Sequence, residues 1–201
     1  MSQDPTAPKP VPGAVAAILV EGRSDEAAVR AAARLLDLDL EAAGVLVAPI
    51  GGAMAFRRAL AEYGPGGAHG DGLRLAGLVD VGEVRHTCRA LFDGLDDEPY
   101  DGALAHAGFF VCKRDLEDEL IRALGAGRVQ AVLDDRGDLD RFRTFQHQPA
   151  HRDEPVTDQL RRFLGTTAGR KIAYGAHLVE ALAPGEIPTP LRSAVEHAIQ
   201  R

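Results

Sequence analysis

Four short apolar runs, each followed by a stretch with helical character, constrain this 201-residue chain more than any other feature. They are Val15–Val20 (VAAILV), Gly44–Ile50 (GVLVAPI), Leu73–Val79 (LRLAGLV) and Gly108–Cys112 (GFFVC). Strands that are apolar on both faces belong in a parallel sheet covered by helices on both sides. The intervening segments supply those helices: Asp25–Leu36, a stretch from about Ala53 to Tyr63, Val84–Phe92 and Asp115–Leu124. Ser24 stands where a helix N-cap is expected, and Asp25 and Glu26 suit a first helical turn. The expected fold class is therefore α/β, with a parallel sheet of about four strands.

After Gly125 the strand signal stops, and helices are expected at about 126–135, 138–145, 154–164, 168–182 and 189–199. This gives three parts: a tail over 1–13 with four prolines, an α/β core over 14–124, and a helical extension over 125–201. Cys88 and Cys112 form no C-x-x-C and read as small buried residues in a reducing compartment. No signal-peptide pattern opens the chain, and no apolar run nears the roughly 20 residues needed to span a bilayer. A cytoplasmic protein without membrane contact is expected.

In parallel sheets, ligands bind beyond the carboxyl ends of the strands. Here those ends are acidic. Glu21 follows the first strand, with Asp25 one turn on; Asp80 and Glu83 follow the third; Asp115, Glu117, Asp118 and Glu119 follow the fourth. Each position near a helix start could serve as a cap, but Glu21 sits between an apolar strand and a glycine, where a cap gains little. Gathered carboxylates repel unless a cation neutralises them, and hard cations such as Mg²⁺ prefer oxygen ligands. Such an edge suits metal-assisted phosphoryl transfer.

The segment ILVEGRSDEAAV (Ile18–Val29) resembles the first motif of a Toprim domain. With Asp25, the Gly51-Gly52 pair, Asp80, DLEDEL (Asp115–Leu120) and GRKIAYG (Gly169–Gly175), the similarity is to the OLD-family version, over roughly residues 14–182. The resemblance implies a Rossmann-like Toprim sheet. It also implies Mg²⁺ or Mn²⁺ bound by Glu21, Asp25 and Asp80, with Glu21 also a general acid/base. Glu117, with Asp115 and Glu119, would help a second metal, and Lys171 would stabilise charge at the scissile phosphate. Lys171 is one of only three lysines beside 20 arginines, and lysine is a compact, movable point charge. The sequence departs from the family where Asp-x-Asp is usual, because Gly82 replaces the second Asp; Glu83 is the residue that could reach inward instead. OLD proteins carry an ATPase, but no G-x-x-x-x-G-K-[ST] occurs here. The expectation is a standalone Toprim protein, with any ATPase or helicase supplied by a partner chain.

Net charge is −7, which alone argues against a protein that coats nucleic acid. Its distribution argues otherwise: residues 136–171 carry +3 and leave −10 elsewhere. Arg143, Arg161, Arg162 and Arg170 in that segment are the candidate phosphate contacts, and DNA is the expected polymer ahead of RNA. His147 and His151 are four apart but flank Pro149, so they are not read as metal ligands. The Gly64–Gly72 loop is not read as a phosphate cradle, nor Phe109-Phe110 as a stacking platform. The expected activity is a divalent-metal-dependent nuclease or nucleotidyl transferase with a two-metal mechanism. The alternatives are a non-catalytic module that binds nucleic acid or a partner ATPase, and phosphoryl transfer or hydrolysis on small nucleotides.

Overall fold

The computed structural model describes residues 13–52, 55–65, 73–92 and 100–200. Its strands are β1 (Ala16–Val20), β2 (Val45–Pro49), β3 (Arg74–Asp80) and β4 (Phe109–Cys112). They form one parallel sheet in the order β2-β1-β3-β4. The α/β expectation holds, and the strands fall within about a residue of the apolar runs. One shift matters for the site: Asp80 is the last ladder residue of β3, opposite Cys112, rather than the first residue beyond it.

The nine helices among the described residues are α1 (Arg23–Leu35), α2 (Phe56–Tyr63), α3 (Val84–Leu91), α4 (Tyr100–His106), α5 (Leu116–Asp135), α6 (Leu139–Gln146), α7 (Val156–Leu164), α8 (Ala168–Glu180) and α9 (Thr189–Ile199). Gly125 breaks α5 with φ 74° and ψ 154°, so its two arms match the two helices read from the sequence. Helix α4 is not among the helices expected from the sequence. The α1 cap differs from expectation: Gly22 is the N-cap, and Asp25 turns back to accept from Gly22 N–H at 2.9 Å. Ser24 instead lies buried inside the first turn. The expected tail, the start of the second helix at Ala53 and most of the Gly64–Gly72 loop lie outside the described residues.

Alternation along β1 sends Ala16, Ile18 and Val20 to one face and Ala17 and Leu19 to the other. Helices α2, α3 and α4 cover the second face, through residues such as Phe56, Cys88 and Leu104. The first face shares one core with α1 and α5 to α9. Helix α9 lies directly against β1, β3 and β4, and α8 lies along α1. Of the helices beyond residue 125, α9 therefore buries the sheet's own face, and the others extend the same core. No described helix is long and apolar enough to cross a membrane.

The α1–α8 contact is unusually close at one point. A Cβ built on Gly175 would lie 2.3 Å from the Ser24 carbonyl oxygen, so the two backbones touch where only glycine fits. Nothing lies within 4 Å of the Cβ position of Gly169 on the same helix. Gly175→Ala is expected to cost about 1–3 kcal/mol through overpacking against backbone, despite the helix propensity alanine gains. Gly169→Ala should be neutral or stabilising by up to about 1 kcal/mol. Thermal melts of the two variants check this pair; a Gly175→Ala melting point at or above wild type would contradict the packing.

Candidate metal centre

A cleft opens beyond the carboxyl ends of β1 and β3, lined by Glu21, Asp25, Asp80 and Glu83, with Thr87 and Leu116 at its wall. Different elements deliver these side chains. Glu21 leaves the end of β1, Asp25 sits in the first turn of α1, and Asp80 ends β3. Glu83 closes the short 3₁₀ turn Val81–Glu83 that follows. The Gly51-Gly52 pair has a structural task here. Both glycines adopt positive φ (82° and 104°), and both their N–H groups donate to the Glu21 carbonyl at 3.1 Å. The turn after β2 thus holds the backbone of Glu21 in place.

The remaining candidates come from α5, α7 and α8. Glu117 in the first turn of α5 is mostly buried, and its Oε1 lies 3.1 Å from Lys171 Nζ of half-exposed Lys171 on α8. Glu117 Oε1 is itself buried, so this ion pair sets a charge of opposite sign beside a shielded carboxylate oxygen. Asp115 is the N-cap of α5. Its Oδ1 accepts from Asp118 N–H at 2.8 Å, and its Oδ2 accepts from Arg161 Nε at 2.6 Å and from an Arg161 Nη. Glu119 is buried, accepts from Lys113 N–H at 2.8 Å and pairs with Arg122 at 2.6 Å, so it braces the β4–α5 turn.

The electrostatics reflect crowded negative charge. Burial first, then the carboxylates of Glu21, Asp115, Asp25 and Glu117, push Asp80 from 3.8 up to about 7. Burial, then Glu117, push Asp25 up to about 6, against the lowering effects of Gly22 N–H and Lys171. For Lys171, burial disfavours the charged form, but Glu117, Asp25 and Glu21 outweigh it and hold the ammonium above its ordinary value. Four carboxylate residues, Glu21, Asp25, Asp80 and Glu83, are among the lining, and carboxylate oxygens are donors that Mg²⁺ or Mn²⁺ prefers. Among the described residues no three His, Cys, Asp or Glu side chains already form a ligand cage. The residues fit a divalent cation by donor chemistry and charge.

The four arginines read as phosphate contacts are not gathered at the cleft. Arg143 on α6 is exposed and pairs with Asp140 at 3.4 Å. Arg162 on α7 is exposed and pairs with Glu154 at 3.0 Å. Arg161 closes on Asp115. Arg170 is turned inward: its guanidinium lies 4.3 Å over the Phe163 ring and 3.6 Å from Asp138, joining α8 to its neighbours. His151 stacks on Phe145 at 4.0 Å between ring centroids, which is packing. Sequence reasoning missed the Gly175–Ser24 approach and the Arg161–Asp115 pair; both join residues far apart in the chain. The Asp118–Arg122 pair, at 2.8 Å, was readable from its i,i+4 spacing.

Folding raises the proton affinity of Asp80 and Asp25, so between 3.8 and about 7 the folded protein holds protons that the unfolded chain has released. The stabilisation is therefore full below 3.8 and is lost as pH rises through about 6 and about 7. Without divalent metal, melting temperature should fall as pH is raised across this window. Asp80→Asn should flatten that fall and stabilise the protein at pH 8 by about 1–3 kcal/mol, after discounting for partial exposure. Melts of both proteins in chelator, over a pH series, check the sign; an Asn variant less stable than wild type at pH 8 would refute it.

Comparisons with known proteins agree with this architecture. Residues 14–63 match the family model "Overcoming lysogenization defect protein-like, TOPRIM domain". No curated protein matches the chain significantly. The C-terminal region of the Xanthomonas campestris pv. campestris OLD protein superimposes with a TM-score of 0.67 at 24% identity, covering 92% of this chain and 95% of that one. The C-terminal region of the Burkholderia pseudomallei OLD protein gives a TM-score of 0.68 at 20% identity, covering 92% and 97%. In fold over nine-tenths of its length, and in the matched residues of its first two βα units, the chain resembles an OLD-like Toprim protein.

Proposed function

We propose that this protein is a divalent-metal-dependent nuclease that hydrolyses nucleic-acid phosphodiesters at the cleft beyond β1 and β3. The observation that carries the reading is the meeting of Glu21, Asp25 and Asp80 at one cleft, with the Lys171 ammonium beside the adjoining Glu117. Glu21, Asp25 and Asp80 would hold Mg²⁺ or Mn²⁺, and Glu117 with Glu83 would serve a second ion. A bound ion supplies Lewis-acid polarisation of the phosphoryl oxygen and a more acidic bound water. Exposed Glu21 is the group to accept and return the proton of the attacking water. Half-exposed Lys171 is a movable cation suited to charge that develops on the phosphate. Exposed Arg143 and Arg162 are suited to hold backbone phosphates of DNA, without reading sequence. A separate ATPase or helicase chain is the proposed partner.

One observation favours a second reading, a non-catalytic module that binds nucleic acid or a partner: Gly82 gives no ligand where the family pattern has its second Asp. The two readings separate in one assay on plasmid, linear and single-stranded substrates with Mg²⁺ or Mn²⁺. The nuclease should cleave only with metal, and Glu21→Ala, Asp80→Ala and Lys171→Ala should each lose about 10²-fold or more. Cleavage that survives Glu21→Ala overturns the assignment; binding without turnover establishes the module instead.

A gain-of-function variant extends the test. The Cβ position of Gly82 has nothing within 4 Å, so an aspartate there meets no obstacle. Gly82→Asp is expected to tighten Mn²⁺ binding about tenfold, the scale of one well-placed charged contact. Calorimetric titration reads the change, and unaltered affinity would mean that position 82 does not face the ion.

A further inference from the structure

Arg161 and Asp115 are 46 residues apart in the chain, yet they form a charge-assisted hydrogen bond near the cleft. Arg161 Nε donates to Asp115 Oδ2 at 2.6 Å, and one Nη donates to the same oxygen. The other oxygen, Oδ1, accepts from Asp118 N–H at 2.8 Å, the capping bond of α5. Both oxygens of Asp115 are thus engaged by the protein itself. The pair is well shielded, with side chains 31% and 14% exposed, so it is worth more than a surface ion pair. The turn that this cap begins carries Glu117, which meets Lys171 of α8 at 3.1 Å. One helical turn is therefore held from two sides, by α7 through Asp115 and by α8 through Glu117.

We propose that Arg161 is a positioning residue of the candidate metal centre, acting through Asp115 to fix the first turn of α5 and, with it, Glu117. The inference rests on reading the cleft as a metal site. It gives Arg161 a task other than phosphate binding, and it makes Asp115 a support for the ligands rather than a ligand. Carboxylate partners that orient metal ligands from behind typically matter 10–100-fold for metal affinity.

The test is Mn²⁺ titration of the full chain, with duplex DNA binding measured across a salt series. Arg161→Gln should weaken Mn²⁺ binding about 10–100-fold and leave the slope of DNA affinity against salt unchanged. Arg161→Lys, which keeps the charge but loses the fork, should lose less. Asp115→Asn retains a capping side chain and should weaken Mn²⁺ in the same direction, so the test survives if Arg161→Gln fails to fold. The double variant Asp115→Asn/Arg161→Gln should be no worse than the worse single one. Unchanged Mn²⁺ affinity in Arg161→Gln, with a salt slope reduced by about one, would make Arg161 a phosphate contact and overturn the proposal. Further weakening in the double variant would make Asp115 a direct ligand and overturn it too. A wild-type protein that binds no Mn²⁺ sinks the metal reading as well; wild-type binding with an unaffected Arg161→Gln sinks only this inference.

Discussion

The close approach of α8 to α1 is the contact on which the rest of the arrangement depends. Gly175 lets the α8 backbone rest against the carbonyl of Ser24, inside the first turn of α1. That turn also carries Asp25, and the preceding turn of α8 carries Lys171. A steric allowance of one missing methyl group therefore brings the single lysine of the C-terminal helices within reach of carboxylates more than 50 residues earlier in the chain. Without it, the helices beyond the sheet would still cover apolar surface, but their cation would stand off from the cleft.

Opposed to this attraction is the repulsion among the carboxylates themselves. Asp25 and Asp80 are raised by burial and by one another's neighbours, which is destabilising for an ionised group at neutral pH. The fold tolerates the cost because its large core lies elsewhere, in the layer shared by β1, α1 and α5 to α9. Strain of this kind concentrated in a cleft is typical of groups that wait for a cation or a substrate. Counter-charge is distributed unevenly: Asp115 has a closed arginine clamp, Glu117 has a half-exposed lysine, and Glu119 is locked to Arg122.

Much of this was legible in the residues because it depends on local patterns. All-apolar runs identified the strands, Gly125 divided α5, and Glu21, Asp25 and Asp80 stood out by following apolar runs. What stayed hidden depends on contacts between distant segments. Arg161 and Arg162 are adjacent and chemically alike, yet the first faces Asp115 and the second Glu154. Arg170 reads as a surface cation until Phe163 and Asp138 are seen beneath it. Ser24 looks like a cap by type, but Gly22 takes that place because Asp25 bonds back to its N–H. Local signals name the elements; which side of each helix meets which neighbour is decided only by packing.

The turn after β3 has a consequence for how such a protein can change over generations. Asp80 is tied into the ladder opposite Cys112, whereas Gly82 sits two residues later, exposed, with open space around it. Position 80 is fixed within the sheet by its backbone pairing, while a side chain at position 82 would meet no neighbour. Packing therefore sets no bar to a side chain at position 82. A lineage could lose or regain a carboxylate there without passing through a poorly folded intermediate, so chemistry at this edge can drift while the architecture is inherited intact.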